Sequence, residues 1–594
     1  MKLSGGELLL KCLEQEKVRF VFGIVGGQLL TFIDAIQRMG EESDIKYVGV
    51  RHEECAANMA DAYARLTGIP GVCVGTVGPG AANLVPGLYP AYADSIPVVA
   101  LTAQNQTWKS YPDHGSTQGL DQLSLFKGVT KWNAVVSHFQ RIPELVQRAF
   151  REATSGKPGP VHLDIPVDIL WAQGDVDPKV ILSPEFYRCL NPPAGNPDAI
   201  KKAAQMLVKA EFPLIHAGGG VLQSNATPEL VALAEHLAAP VSTSVVARGA
   251  IPEDHPLCLI VPGYGALQAQ PQADVVLQIG GRFGDYETWG KPIMWNTMDK
   301  QKLIQLDVSG STIGLNRPVD IAILGDAKTT LSLLLKEVKN LTPKRSENPK
   351  LEKARESQRS WFKGFQAGAT SNAKPIHTLR AIKEVRDFFP RHAICCVDGG
   401  NTLVWGIYVN RIYEPRTYLW ACDSGHLGVG LPYAISAKLT KPDTPVYLIT
   451  GDGAFMLGIH ELETAKRLGA NVVVVIINDR QWGMIKGGQK LSFDSRFEGV
   501  DLYDVRYDQV AKAMGCYGER VETPTEIKPA LKRAVDSELP AVLDVIVNKD
   551  IHLLPPDLGL ILSIWLEGVK APKVEAHPKE EQVAATAPAE AEEA

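Results

Sequence analysis

The chain has 594 residues, 45% of them hydrophobic and 22% charged, with a formal net charge of -6. That length accommodates roughly three to five domains of a soluble globular protein. The even spread of both charge signs leaves no basic footprint for nucleic acid or a membrane surface, and no run of eighteen apolar residues is present to span a bilayer.

Cysteine usage and the N-terminus point the same way. Nine cysteines with no C-x-x-C pair read as buried thiols of a reducing compartment, and Met1 to Glu7 lacks the apolar core of a secretory signal. The first block, 1–172, alternates strand-like runs at 20–25, 71–76 and 96–101 with helical patterns. Between them fall Arg51-His52-Glu53-Glu54 and Gly75-Thr76-Val77-Gly78-Pro79-Gly80-Ala81-Ala82-Asn83. A linker, 172–197, contains Asn191-Pro192-Pro193. The second block, 195–340, repeats the alternation, with strands predicted at 213–217, 275–279 and 302–307. A charged connection, 341–374, carries a helix, and the third block is 372–550.

In the third block the runs 446–450 and 472–477 have the pattern of parallel strands buried on both faces. Gly451-Asp452-Gly453-Ala454 follows the first and Asn478-Asp479 the second, with room for a crossover helix at 458–468. Asp452 and Asn478 then lie at the carboxyl ends of neighbouring strands, where open α/β sheets bind ligands. A carboxylate and an amide oxygen make a hard-oxygen pair suited to Mg2+, which shares its shell with phosphates and water. Residues 557–568 read as an apolar helix with Asp557 as N-cap and Ile561, Leu562, Trp565 and Leu566 on a sticky face. It belongs to a cover segment, 551–571, and the tail 572–594, rich in Ala, Glu, Pro and Lys, reads as disordered. The expected fold class is α/β, with three doubly wound parallel-sheet domains and a C-terminal cover.

These motifs, in this order, strongly resemble the thiamin-diphosphate enzymes of the superfamily that holds acetohydroxyacid synthases, pyruvate decarboxylases, 2-hydroxyacyl-CoA lyases and oxalyl-CoA decarboxylases. The likeness runs from Gly5 to Asn548. It implies a pyrimidine-binding domain (1–172), a middle nucleotide-binding-like domain (195–340) and a diphosphate-binding domain (372–550), with thiamin diphosphate and Mg2+ as cofactors. Glu53 matches the carboxyl that faces N1′ of the aminopyrimidine and favours its imino tautomer, which takes the proton from thiazolium C2. Gly26 and Asn83 fall among the expected cofactor contacts, as do Gly399, Asn401 and Thr402 at a helix start. Leu427 matches the bulky residue beneath the bent cofactor, and the Gly425 carbonyl matches the acceptor for N4′. Gly453 and Ala454 match N–H donors to phosphate, Met484 and Ile485 further cofactor contacts, and Asp452, Asn478 and the carbonyl of Arg480 the metal ligands. The resemblance also implies a homodimer or homotetramer in which two subunits share each site.

The substrate side divides the family. Gln118 falls where synthases carry an active-site Gln, and His114 nearby is a candidate proton relay. Val25 and Gly399-Gly400-Asn401-Thr402 look more like the CoA-dependent branch, whereas Gly483-Met484-Ile485-Lys486 resembles acetolactate synthases. Gly488 stands where biosynthetic synthases have a Trp, and Lys486 is expected to face the substrate. In the second block Arg282 is a candidate partner for a nucleotide diphosphate, of CoA or of FAD, and Asp307 for a ribose. The expectation is a 2-hydroxyacyl-CoA lyase, reversibly cleaving a CoA thioester to an acyl-CoA such as formyl-CoA plus an aldehyde or ketone. The alternatives are an acetolactate-synthase-like condensation of 2-oxo acids, a flavin-dependent oxidase, and a non-catalytic subunit that keeps the cofactor fold. The expected partners are a small-molecule substrate and a second copy of the chain, in the cytoplasm, with neither nucleic acid nor membrane.

Overall fold

Strand Val473–Asn478 is buried along its whole length. A strand with no exposed face needs partners on both edges and helices on both sides. The computed structural model supplies these three times over. It describes residues 1–39, 43–261, 263–292, 294–346, 348–556 and 558–569, so the predicted N-cap Asp557 and the tail 572–594 lie outside the described residues.

Each domain holds one six-stranded, all-parallel sheet. In the first, Lys46–Gly49, Phe20–Gly23, Gly71–Gly75, Val98–Gln104, Val161–Pro166 and Trp132–Val135 lie in that spatial order. In the third, the order is Tyr418–Leu419, Ile394–Asp398, Val446–Gly451, Val473–Asn478, Ala541–Ile546 and Tyr517–Val521. Numbered within each domain, both run 2-1-3-4-6-5. The middle sheet runs 3-2-1-4-5-6, with Pro213–Ala217 and Val275–Ile279 at its centre. A two-stranded antiparallel ribbon, Lys2–Ser4 with Gln173–Asp175, ties the start of the chain to the end of the first domain.

Local chemistry explains where elements differ from the pattern-based reading. The strand predicted at 96–101 is Val98–Gln104, because Pro97 has no N–H for the ladder. The crossover predicted at 458–468 is two short helices, Asp452–Gly458 and Glu461–Arg467, so the first begins at Asp452 itself. The charged connection contains helix Pro349–Gly364, capped by Asn348, which packs on Tyr264–Gln272. None of the described helices is long and apolar enough to cross a membrane.

The first and third domains share a core. Helix Glu53–Thr67 of the first packs on helix Gly430–Thr440 of the third, and Ala, Met and Leu side chains of both merge into one cluster. A buried ionic group spans the seam. Arg65 donates to Asp61 at 2.8 and 3.0 Å, to Asp94 at 2.8 Å and to the Trp420 carbonyl at 3.2 Å, while Tyr433 donates to Asp61. Asp61 and Asp94 are both buried, so Arg65 neutralises two carboxylates that water does not reach. Arg65→Met leaves both uncompensated. It is expected to cost about 3–5 kcal/mol, read as a lowered urea midpoint for the transition that separates the first and third domains.

Candidate active site

The third sheet changes winding direction between the neighbouring strands Ile394–Asp398 and Val446–Gly451. Such switch points open a crevice at the carboxyl ends of the strands. A cavity of about 300 Å³ lies there. The helices Asn401–Val409 and Asp452–Gly458 both start at its wall, so their free N–H groups and positive dipole ends converge on it. Gly399 holds φ +93° at the first turn, and Gly425 holds φ +60° at the bend that carries Leu427, conformations a side chain would strain. Asp398 ties the two loops together. It accepts from the N–H of Gly399 at 2.7 Å, of Gly428 at 3.0 Å and of Gly430 at 2.8 Å. Asp398 is not among the residues expected from the sequence, although a buried acid directly before Gly399-Gly400 is a signal that those N–H groups need an acceptor.

The polar end of the cavity corrects the expected metal set. Asp452 and Asp479 both line it, each with an Oδ2 that is buried and without a hydrogen-bond partner among the described residues. Burial, followed by the facing Asp479 carboxylate, raises the Asp452 pKa, and burial raises that of Asp479. His552 Nε2 lies 4.0 Å from Asp479, but burial lowers its pKa to about 3, so it supplies no positive charge. Two orphan carboxylate oxygens in one dry cavity fit a divalent cation. Asn478 does not line the cavity. It keeps the strand's alternation, and its amide donates to Asp544 at 2.7 Å on the far side. Arg480 is also displaced from the expected role, because its carbonyl already accepts from Leu502 N at 2.9 Å, and Gln481 takes the place at the cavity wall.

The other expected contacts are mixed. Gly399, Asn401, Thr402, Gly425, Leu427, Gly453, Ala454, Met484 and Ile485 all line the cavity. The Asn401 amide is already engaged with the carbonyls of His552 and Leu553, at 3.0 and 3.2 Å, so the side-chain donor expected there is spent on the C-terminal segment. Lys486 does not line the cavity. Its ammonium pairs with Asp501 at 2.5 Å and sits over the Phe497 ring. The cover helix Leu558–Trp565 closes the apolar side with Leu560, Ile561 and Ile564. It approaches through glycines: a Cβ on Gly487 would meet Leu558 Cδ2 at 2.5 Å, and one on Gly488 would meet Leu562 Cδ2 at 3.6 Å. Leu562 thus stands in van der Waals reach of the position where biosynthetic synthases carry a Trp.

The first-domain candidates form a second group. Glu53 opens helix Glu53–Thr67, is 6% exposed and accepts from Asn83 Nδ2 at 3.1 Å. Gly26 packs against Thr76 at the same sheet edge, and the Gln118 carbonyl sits against Gly78. His114 and Gln118 lie on an exposed loop, tied down by Tyr111 to Asp164 (2.6 Å) and Asn105 to Thr117 (3.1 Å). Among the described residues, none of the first domain lines the 300 Å³ cavity of the same chain. The structure therefore brings Glu53 and Asn83 together and does not bring them to Asp452.

A larger cavity, about 650 Å³, occupies the middle domain's own switch point beside Gly219-Gly220 and Gly280-Gly281. Arg282 and Asp307 line it. Arg282 is bound to Asp423 of the third domain at 2.5 Å, so its guanidinium bridges domains here. Asp307 caps Ser309 N at 2.8 Å, and burial raises its pKa to about 6.

The raised pKa values of the facing acids set a pH dependence. Without a cation the folded chain holds these protons more tightly than the unfolded chain, so the pair costs stability as pH rises above the ordinary carboxylate range. A cation displaces the protons, so Mg2+ affinity is expected to rise with pH and binding to release protons, measured by titration calorimetry in two buffers of different ionisation enthalpy. Asp479→Asn is expected to remove most of that release, and Asn478→Asp to leave it.

Comparison with known proteins agrees with this layout. Residues 3–125 match the N-terminal TPP binding domain of thiamine pyrophosphate enzymes, 200–334 the central domain and 398–545 the C-terminal TPP binding domain. A probable acetolactate synthase large subunit of Methanococcus aeolicus is 35% identical, covering 98% of this chain and 97% of its own. One from Methanocaldococcus jannaschii is 36% identical over 93% and 94% of the two chains. The acetolactate synthase large subunit of Corynebacterium glutamicum is 31% identical over 93% and 88%. None of these three names mentions CoA or a flavin, and they favour the synthase alternative over the expected CoA lyase. With all three domains matched in order and relatives similar along nearly the whole length, the chain belongs to the thiamine pyrophosphate enzymes.

Proposed function

We propose that this chain is a carboligase of the acetolactate-synthase type, condensing two 2-oxo acids with thiamin diphosphate and Mg2+. The observation that carries the proposal is the cavity in which the orphan oxygens of Asp452 and Asp479 face two helix N-termini, in a chain similar throughout its length to acetolactate synthases. When bound, the cofactor supplies an acidic thiazolium carbon whose conjugate base adds to a carbonyl and serves as an electron sink.

The chain's own residues then have defined tasks. Asp452, Asp479 and the carbonyl of Gln481 would hold Mg2+, and the N–H groups of Gly453 and Ala454 would bind diphosphate oxygens. Leu427 would pack against the cofactor rings, and the Gly425 carbonyl would accept an amino hydrogen. Glu53 holds or gives a proton at its carboxyl oxygen, oriented by Asn83. Leu560, Ile561, Ile564 and Met484 exclude water from the apolar side, where an alkyl side chain of a 2-oxo acid fits.

Glu53 of one copy meets Asp452 of another in this proposal. Two features support it: the cavity has no first-domain residue, and apolar side chains stand exposed at Val25, Leu30, Tyr89, Tyr92, Met456 and Leu457. The relatives' designation as large subunits extends the proposal to assembly with a smaller companion chain.

Incubation with pyruvate, Mg2+ and thiamin diphosphate is expected to yield acetolactate and CO2. Cleavage of 2-hydroxyacyl-CoA thioesters with no acetolactate would overturn this reading. Glu53→Gln is expected to lower the rate roughly 100- to 10,000-fold while leaving calorimetric cofactor binding in place. Mixing and refolding inactive Glu53→Gln with inactive Asp452→Asn is expected to restore about a quarter of the parent activity, since half the chains pair as hybrids with one intact site in two. No recovery would mean that each site belongs to a single chain.

A further inference from the structure

A second cluster of ligating side chains lies at the seam between the first and third domains, outside the cofactor cavity. Cys55, on the first turns of helix Glu53–Thr67, places its Sγ 3.5 Å from His460 Nε2. Glu461, the first residue of helix Glu461–Arg467, completes the group, and one ligand atom from each of the three lies within 4.8 Å of the others. We propose that Cys55, His460 and Glu461 bind a divalent cation of borderline softness, with Zn2+ the best fit, and that the bound ion staples the two domains together.

Four observations carry this. First, Glu461 is fully buried and half satisfied. Its Oε1 accepts from the N–H of Arg51 at 2.8 Å and of His52 at 3.2 Å, whereas its Oε2 is buried with no partner among the described residues. A buried carboxylate oxygen with no donor is costly unless a cation takes it up. Second, the spacing suits the ion. Zn–S of about 2.3 Å and Zn–N of about 2.0 Å in a tetrahedron put S and N roughly 3.5 Å apart. Third, the donor set is sulfur, nitrogen and one oxygen, which selects zinc-like ions over the Mg2+ suited to the all-oxygen pair at Asp452 and Asp479. Fourth, the two backbone N–H bonds fix the Glu461 carboxylate from behind, the role that outer-shell partners play at metal sites.

The same atoms argue against a hydrolytic triad. Both Cys55 Sγ and Glu461 Oε1, the oxygen that takes the two backbone N–H groups, approach Nε2 of His460, at 3.5 and 3.6 Å, whereas a nucleophile–base–acid relay uses the two ring nitrogens separately. Burial, with Glu461 and Glu54 close by, also pushes the Cys55 thiol up, so a bare thiolate is disfavoured. A cation inverts that preference by replacing the proton. The His52 ring lies near the group, its centre 6.1 Å from that of His460. Three protein ligands with one open position are a familiar zinc arrangement. This cation site is independent of thiamin diphosphate binding, so either can fail alone.

The test is titration of the full chain with Co2+ in excess Mg2+, which occupies the hard-oxygen site. One equivalent is expected to produce a near-ultraviolet thiolate-to-Co2+ charge-transfer band that Zn2+ abolishes by displacement. Cys55→Ser is expected to remove the band, His460→Gln to weaken Co2+ binding at least ~100-fold, and Cys189→Ser, at the one exposed cysteine, to change nothing. Zn2+ is expected to raise the unfolding temperature of the parent and not of the first two variants. Absence of the band in the parent would overturn the proposal. So would a band that survives Cys55→Ser and is lost in Cys189→Ser. If Cys55→Ser does not fold by circular dichroism, His460→Gln decides alone: its side chain is 38% exposed, and unweakened Co2+ binding there would also overturn the proposal.

Discussion

Two carboxylic acids facing each other in a dry cavity are a liability to any fold. Asp452 and Asp479 sit at the ends of adjacent strands, and among the described residues neither pairs with a Lys or Arg side chain. His552, the basic group closest to Asp479, is held neutral by its own burial. The surroundings are arranged for an ion instead. Two helix N-termini and the glycine turns at Gly399 and Gly425 present positive partial charge or bare backbone to the same space. The third domain spends local stability to keep those two oxygens free, and the metal-held diphosphate proposed above is chemistry that would recover it.

That constraint explains the use made of topology. The first and third domains share the strand order 2-1-3-4-6-5, so each places a crevice at the same point of an equivalent sheet. In the third domain the crevice carries acids and N–H groups. In the first it carries Glu53, Asn83 and the Gly26–Thr76 contact. The two crevices do not meet within one chain, although the domains share a core through helices Glu53–Thr67 and Gly430–Thr440. The intrachain seam is held by Arg65 with its two acids, and by the Glu461 caps on Arg51 and His52. The contact that fixes Glu53 in place is thus separate from the contact that would bring it to a cofactor.

The C-terminal helix shows how a small residue acts through what it admits. Gly487 and Gly488 allow Leu558 and Leu562 to lie against helix Gly483–Ser492, and Leu560, Ile561 and Ile564 then form the apolar wall. An acetolactate-type reaction without a Trp at Gly488 therefore still has a closed, dry side. Taken by itself, the missing ring at Gly488 suggests an opened pocket and a bulkier thioester substrate; in the folded chain that space is filled from elsewhere in the sequence.

Much of the molecule is legible in the sequence. Apolar runs such as 472–477, with no polar alternation and rich in β-branched residues, read as strands covered on both faces, and Gly-Asp-Gly after one of them reads as the open end of a strand. Glu53 and Asn83 are legible as motif members, and they do touch. What the sequence does not decide is which of two adjacent polar residues at a strand end faces inward. Asn478 and Asp479 are both good oxygen ligands, one peptide apart. A strand alternates its side chains, so the answer rests on where the alternation stops, and only packing against Asp544 on one side and Asp452 on the other settles it. Periodicity and motif chemistry, being local, determined the three α/β domains and the glycine-rich strand end that opens onto the cavity of the third. The facing of Asp479, the filling of the space beside Gly488 and the meeting of Cys55 with His460, 405 residues away, depend on long-range packing that no local pattern encodes.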